Sequence, residues 1–165
     1  MRLSIVCFGK VKTPGLRQAA DYYLQLANGW LTVREIELKP IAVPDKSPAT
    51  RKQIQEKEGQ ILLEKLESEL SPRGIFFILD EGGKALSTQE WAQRVRQWES
   101  ESIPEIALCV GSSLGFSQAV RSKARGILSL GPQTLPHELA RVVLLEQVYR
   151  AWGVVRGHPY HNEGS

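Results

Sequence analysis

Two short runs with no polar residue, Ile75-Phe76-Phe77-Ile78-Leu79 and Ile106-Ala107-Leu108-Cys109-Val110, constrain this chain most. A strand with one wet face alternates apolar and polar residues. A run apolar at every position belongs to a strand covered on both faces, the situation in parallel sheets layered between helices. Helical segments separate these runs, so strand and helix signals alternate along the chain. That alternation predicts an α/β fold, a mostly parallel, doubly wound sheet with flanking helices.

The remaining elements follow from periodicity and punctuation. Leu3–Phe8 reads as a first strand, and 16–28 as a helix stopped by Asn28-Gly29. Thr32–Leu38 alternates at period two, as a half-exposed strand does. The segment 39–48 carries three prolines and is a loop. Residues 50–70 form the strongest helix signal, with Ile54, Ile61, Leu62, Leu66 and Leu70 on one stripe. Ser87-Thr88-Gln89-Glu90 is a capping box opening a helix that presents Trp91, Val95 and Trp98 to a core. A short helix over 117–124, a short strand over 127–130 and a last helix from Pro136 to about Trp152 complete the chain. All 165 residues suit a single domain, with no internal repeat or linker.

Cys7 and Cys109 both fall in apolar strand runs, which marks them as reduced core thiols of a cytoplasmic protein rather than a disulfide framework. No apolar run approaches the ~20 residues of a membrane span. The net charge of +3 is unevenly placed. Residues 1–120 hold 15 basic and 15 acidic side chains, whereas 121–165 hold six basic and three acidic. The basic excess therefore sits with the last quarter, which also contains all three histidines, His137, His158 and His161. That coincidence makes this quarter the candidate polyanion-facing part, scattered surface arginines being the alternative.

In open α/β sheets ligands bind outside the carboxyl ends of the strands. Here those ends are Leu79-Asp80-Glu81-Gly82-Gly83, Val110-Gly111-Ser112-Ser113-Leu114-Gly115 and Leu130-Gly131-Pro132-Gln133-Thr134-Leu135. None is a P-loop or a dinucleotide fingerprint, so each alone is a plain turn, and a cofactor cleft requires all three to converge. His158 and His161 lack a third nearby ligand, which argues against a metal. A serine or cysteine nucleophile is no better supported, Cys7 and Cys109 being apolar-strand residues. The last helix is apolar around its whole circumference, from Leu139 to Trp152, and a second copy of the chain is the expected cover for its outer side.

Several blocks together resemble the RlmH family of small SPOUT-class methyltransferases. They are Phe8-Gly9-Lys10-Val11-Lys12, Lys57-Glu58-Gly59-Gln60, Leu79 to Lys84, the Gly111 loop, Thr134-Leu135-Pro136-His137, Arg141 to Ala151, and His158-Pro159-Tyr160-His161. The resemblance spans the whole chain. It implies an α/β fold with a C-terminal trefoil knot, and S-adenosylmethionine held by Leu79, Gly111, Leu130, Gly131, Pro132, Gln133, Thr134 and Leu135. It also implies a homodimer that acts on assembled ribosomes, methylating ring nitrogen 3 of a pseudouridine in large-subunit (23S) ribosomal RNA. Arg150, Tyr160 and His161 are then the expected catalytic-site residues, the partner's tail completing the site. The family usually reads Gly-Gly-x-x-Gly where this chain has Gly111-Ser112-Ser113-Leu114-Gly115, and a side chain tolerates positive φ poorly, so a different loop path is expected at Ser112. A non-catalytic ribosome-associated RNA-binding module of the same fold is the competing class, and a hydrolase using the tail histidines a more distant one.

Overall fold

All six residues of one strand, Glu105–Val110, are buried in the computed structural model, because helices cover both of its faces. The structure describes residues 1–159. In chain order the elements are β1 (Arg2–Phe8), α1 (Pro14–Ala27), β2 (Thr32–Leu38), α2 (Pro48–Glu69), β3 (Ile75–Ala85), α3 (Thr88–Ser100), β4 (Glu105–Val110), α4 (Gln118–Lys123), β5 (Gly126–Ser129) and α5 (His137–Val155). The five strands form one sheet in the order β2-β1-β4-β3-β5, and every pairing is parallel. The expected α/β class is the one observed.

Period-two alternation sorts each strand between two cores. Leu3, Ile5 and Cys7 of β1, Phe77 of β3, and Ile106, Leu108 and Val110 of β4 face the layer of α1, α3 and α5. Val6, Phe8, Ile78, Ala107 and Cys109 face the layer of α2 and α4. Cys7 and Cys109 thus lie in different cores on opposite faces of the sheet, and both are free thiols. Burial pushes the Cys7 thiol up to about 12 and Cys109 higher still.

Three sequence expectations change. β3 does not end at Leu79: its pairing with β5 breaks between Leu79 and Lys84 and then resumes through Ala85. Residues 80–83 are looped out there, and a Cβ on Gly83 would lie 2.8 Å from the Ile127 carbonyl oxygen. On α2, Ile61 is exposed, and the inward row is Ile54, Glu58, Leu62 and Leu66 at four-residue intervals. A buried carboxylate takes the place expected for an isoleucine.

The third concerns α5. Its apolar circumference is largely covered within one chain, because α1 and α3 pack along it while its inner face meets the sheet. Trp91, Val95 and Trp98 of α3 belong to this core, with Trp98 6.2 Å from Trp152 of α5 between ring centroids. Coverage of α5 therefore does not by itself demand a second copy. Its remaining half-buried stripe includes Val143, Gln147 and Val154.

Candidate active site

The bulge at 80–83 within β3 and the loops after β4 and β5 meet around a cleft of about 630 Å³ at the carboxyl edge of the sheet. That volume lies within the usual range of small-molecule sites. Each loop is shaped by a few residues.

After β4 the chain turns within Ser112–Gly115, where the Gly115 N–H donates to the Ser112 carbonyl at 3.0 Å and Gly115 takes φ +68°. Gly111 is needed for close approach, since a Cβ there would sit 3.2 Å from the Phe116 ring. Ser112 does not take a positive φ; among described residues other than glycine only Ser102 does. Instead the Ser112 hydroxyl donates to Glu58 at 2.7 Å and accepts from the Leu114 N–H at 3.2 Å. The loop thus accommodates a serine here without positive φ, and the side chain serves as a staple. Gln55 adds a second staple from α2, donating to the Leu114 carbonyl at 2.7 Å.

After β5 the buried Ser129 hydroxyl accepts from the Gly131 N–H at 3.0 Å and donates to the Gly131 carbonyl at 2.7 Å. Gly131 sits at φ +135°, where a side chain would be strained. Thr134 donates its hydroxyl to Glu81, tying this loop to the looped-out segment of β3. That segment is fixed by Asp80, which accepts from the Gly82 N–H at 2.8 Å and pairs with Arg121 of α4 at 2.5 Å. Burial opposes ionisation of Asp80, but the Arg121 bond, the Gly82 N–H and the guanidinium charge outweigh it and hold the carboxyl below its ordinary range.

Seven of the eight residues expected at the cofactor line the cleft: Leu79, Gly111, Leu130, Gly131, Gln133, Thr134 and Leu135. Pro132 lies in the same loop but is exposed and does not line it. Phe116, Ser129 and Ala140 line it as well, which sequence patterns do not single out, and so does His137. His137 is findable, being the first residue of α5 directly after the cofactor loop. Glu58 escapes the sequence reading as a support, although it lies in one of the blocks that carry the family resemblance.

The expected catalytic residues are placed differently. Arg150 is on α5, thirteen residues beyond His137, and bonds to Glu146 through its Nε at 2.8 Å and its Nη2 at 2.5 Å. At 1.5 Å per residue it is about 15 Å along the helix from Ala140, the last residue of α5 that lines the cleft. His158 packs on Trp30, with ring centroids 5.2 Å apart, at the amino edge of the sheet. Tyr160 and His161 lie outside the described residues. Within one chain the start of the tail is therefore at the wrong end for the cleft.

The basic excess of the last quarter is largely neutralised in place. Arg121 pairs with Asp80, Arg141 with Glu35 and Glu37, Arg150 with Glu146, and Arg156 with Glu99. Arg125 sits just before β5, at the edge opposite the cleft. Charge counted along the sequence thus overstates what this quarter presents to a ligand.

Residues 1–161 match the family described as "Predicted SPOUT methyltransferase". The chain belongs to that family. Proteins called "Ribosomal RNA large subunit methyltransferase H" are similar to it along nearly their whole length. The one from Syntrophotalea carbinolica is 38% identical, covering 98% of this chain and 99% of its own. That from Carboxydothermus hydrogenoformans is 35% identical, with 98% and 99% covered. A third, from Desulfovibrio desulfuricans, is 38% identical with 97% of each covered. The chain is accordingly a SPOUT methyltransferase. Among the described residues no group of three or more His, Cys, Asp or Glu side chains is arranged to hold a metal ion. No described helix is long and apolar enough to cross a membrane.

Proposed function

We propose that this SPOUT methyltransferase transfers a methyl group from S-adenosylmethionine to ring nitrogen 3 of a pseudouridine in large-subunit ribosomal RNA, acting on the assembled ribosome as a homodimer. The observation that carries this is the convergence of three strand-end loops on one cleft, in a chain whose relatives are named for that RNA. The cleft suits such a donor. It offers backbone groups of 130–135 with Gly131 open on its Cβ side, Leu79 as an apolar wall, and an approach at Gly111 that any side chain would close.

When bound, the sulfonium supplies an electrophilic methyl group. The residues of this chain do the rest. Leu130 to Leu135, Leu79 and Gly111 hold and orient the donor, while the strand-end walls keep bulk water from it. Orientation matters because in-line attack needs the reacting atoms about 3–3.5 Å apart. The acceptor base has to leave its stack to enter the cleft. Arg150, Tyr160 and His161 hold that base and its phosphate, and Tyr160 or His161 takes the proton that the ring nitrogen loses.

Those three residues serve the partner's cleft. α5 carries the chain about 27 Å from His137 to Val155. Two residues beyond Pro159 can add at most about 7 Å of chain. A tail that leaves at the far end of α5 thus meets a donor only in another copy, which supports the homodimer. The half-buried stripe of Val143, Gln147 and Val154 is the face on α5 left for that copy.

Calorimetry with S-adenosylmethionine or S-adenosylhomocysteine, without metal, is expected to show one site per chain. No heat at millimolar ligand overturns the proposal. Mass mapping of ribosomal RNA with and without the enzyme then reads one added methyl on a pseudouridine. His161→Ala is expected to keep donor affinity and lose methylation of ribosomes.

A further inference from the structure

The loops after β1 and β2 leave the sheet side by side, immediately next to the cleft. Phe8 and Leu38 are paired in register, and the Gly9 N–H donates to the Leu38 carbonyl at 2.8 Å. Both loops are tied to cleft elements. Glu138, in the first turn of α5, accepts from the Lys12 N–H and from the Thr13 N–H, the latter at 3.1 Å. Gly9, at φ +86°, lies under the His137 ring, where an added Cβ would be 3.6 Å from Cε1. The second loop is held through Glu58, which accepts from the Ile41 N–H at 3.1 Å and from Ser112 of the cleft at 2.7 Å.

These two loops carry Lys10, Lys12, Lys39 and Lys46, all exposed. None of the four forms an ion pair with a described residue, whereas Lys65 and Lys84 elsewhere do. The loops' one acid, Asp45, is occupied by the Ser47 N–H at 2.7 Å and the Thr50 hydroxyl at 3.1 Å. Nearby Glu37 faces Arg141. The free positive charge of this edge is therefore concentrated beside the cleft, while four of the arginines of the last quarter are paired.

We propose that the loops 9–13 and 39–47 form a lysine shelf that docks the RNA phosphate backbone flanking the target nucleotide. The proposal rests on the function above and assigns the RNA-facing side of the molecule. A base drawn into the cleft brings its neighbouring phosphates across this edge. Lysines serve there as point charges that position a backbone without reading its sequence. An acidic protein surface would meet the same charge, but it would have no reason to follow the rim of a cleft that takes a single nucleotide.

The test is binding of purified large-subunit particles across a salt series. It uses wild type, Lys10→Ala/Lys12→Ala, Lys39→Ala/Lys46→Ala, the quadruple variant, and Arg125→Ala/Arg96→Ala as a control away from the shelf. For every phosphate that the protein no longer neutralises, the slope of log K against log salt becomes shallower by about 0.7–0.9. The quadruple variant is expected to have a slope shallower by about 3, and each pair by about half of that. Donor affinity by calorimetry is expected to stay at the wild-type value in every variant. Wild-type slope and affinity in the quadruple variant overturn the shelf alone, as does a shallower slope confined to the arginine control. A wild-type enzyme that binds no particle at any salt overturns the proposed function, and the shelf with it.

Discussion

The Ser112 hydroxyl donates to the Glu58 carboxylate at 2.7 Å, and Glu58 is only 2% exposed. The same carboxylate accepts from the Ile41 N–H, so one buried side chain of α2 fixes a cleft loop and the proline-rich loop together. A buried charge is tolerated only when its oxygens are bonded, and here each of them is.

Glu58→Ala leaves the Ser112 hydroxyl and the Ile41 N–H without their acceptor. Each buried unsatisfied group costs about 1–3 kcal/mol. Both groups are only half-buried, so urea unfolding is expected to show a loss toward the low end of that range, with weaker donor binding by calorimetry. Glu58→Gln, which keeps one acceptor oxygen, is expected to fall between the two. An unchanged donor affinity in Glu58→Ala would mean that the Ser112 staple does not shape the cleft.

Gly59 lies where α2 crosses the start of α4. A Cβ at this position would run into the Ser117 hydroxyl oxygen and lie 3.1 Å from the Ser117 Cβ. Gly59→Ala should therefore destabilise by about 1–3 kcal/mol, as overpacking does, despite alanine's better helix propensity. Adding Ser117→Ala removes the nearest atom and is expected to recover part of the loss. Simple additivity in that double-mutant cycle would show that the two positions do not touch.

Arg141 is 2% exposed and binds Glu35, Glu37 and the Gly9 carbonyl, although its Nη2 has no hydrogen-bond partner. Arg141→Met strands two carboxylates, and breaking a buried pair from one side costs about 3–5 kcal/mol. Glu35 keeps Arg17 at 2.8 Å, so Glu37 is the more exposed to the loss. Adding Glu37→Gln should recover a measurable part of the stability. Chemical denaturation of the four proteins of this cycle provides the check.

Acid should loosen the cleft before the sheet. Bonds from the Thr13 and Lys12 N–H groups hold the Glu138 carboxyl below its ordinary range, as Asp80 is held by Arg121 and Gly82 against burial. Folded values below the unfolded ones mean that the unfolded chain binds more protons in acid. The stability from these groups is then present above the unfolded value of about 4 and is lost as pH falls through the folded one. Asp80→Asn is expected to flatten the dependence of the urea midpoint on pH below about 4, with no change in its shape above pH 6. Parallel curves for variant and wild type would dissociate Asp80 from the acid limb.

Much of the architecture was legible because burial leaves a local trace. The apolar run of β4 and the Ser87–Glu90 box each reflect an environment felt by adjacent residues, and the structure has them as read. The cleft was legible in outline for a related reason. Parallel strands place all their carboxyl ends on one edge, so loops 79–83, 110–115 and 130–135 had to share it.

Pairing between distant residues leaves no such trace. Glu58 reads as one more charge on a charged helix until Ser112 and Ile41 are found at its oxygens, 54 and 17 residues away in sequence. Arg121 and Arg156 read as free cations until Asp80 and Glu99 appear beside them. α5 reads as a helix in need of a second chain until α1 and α3 are seen along it. The sequence by itself determined the layers, the edge on which the site lies and the family. Only the tertiary structure decided which charges are spent inside the molecule and which face outward, because an ion pair depends on distance in space and not on separation along the chain.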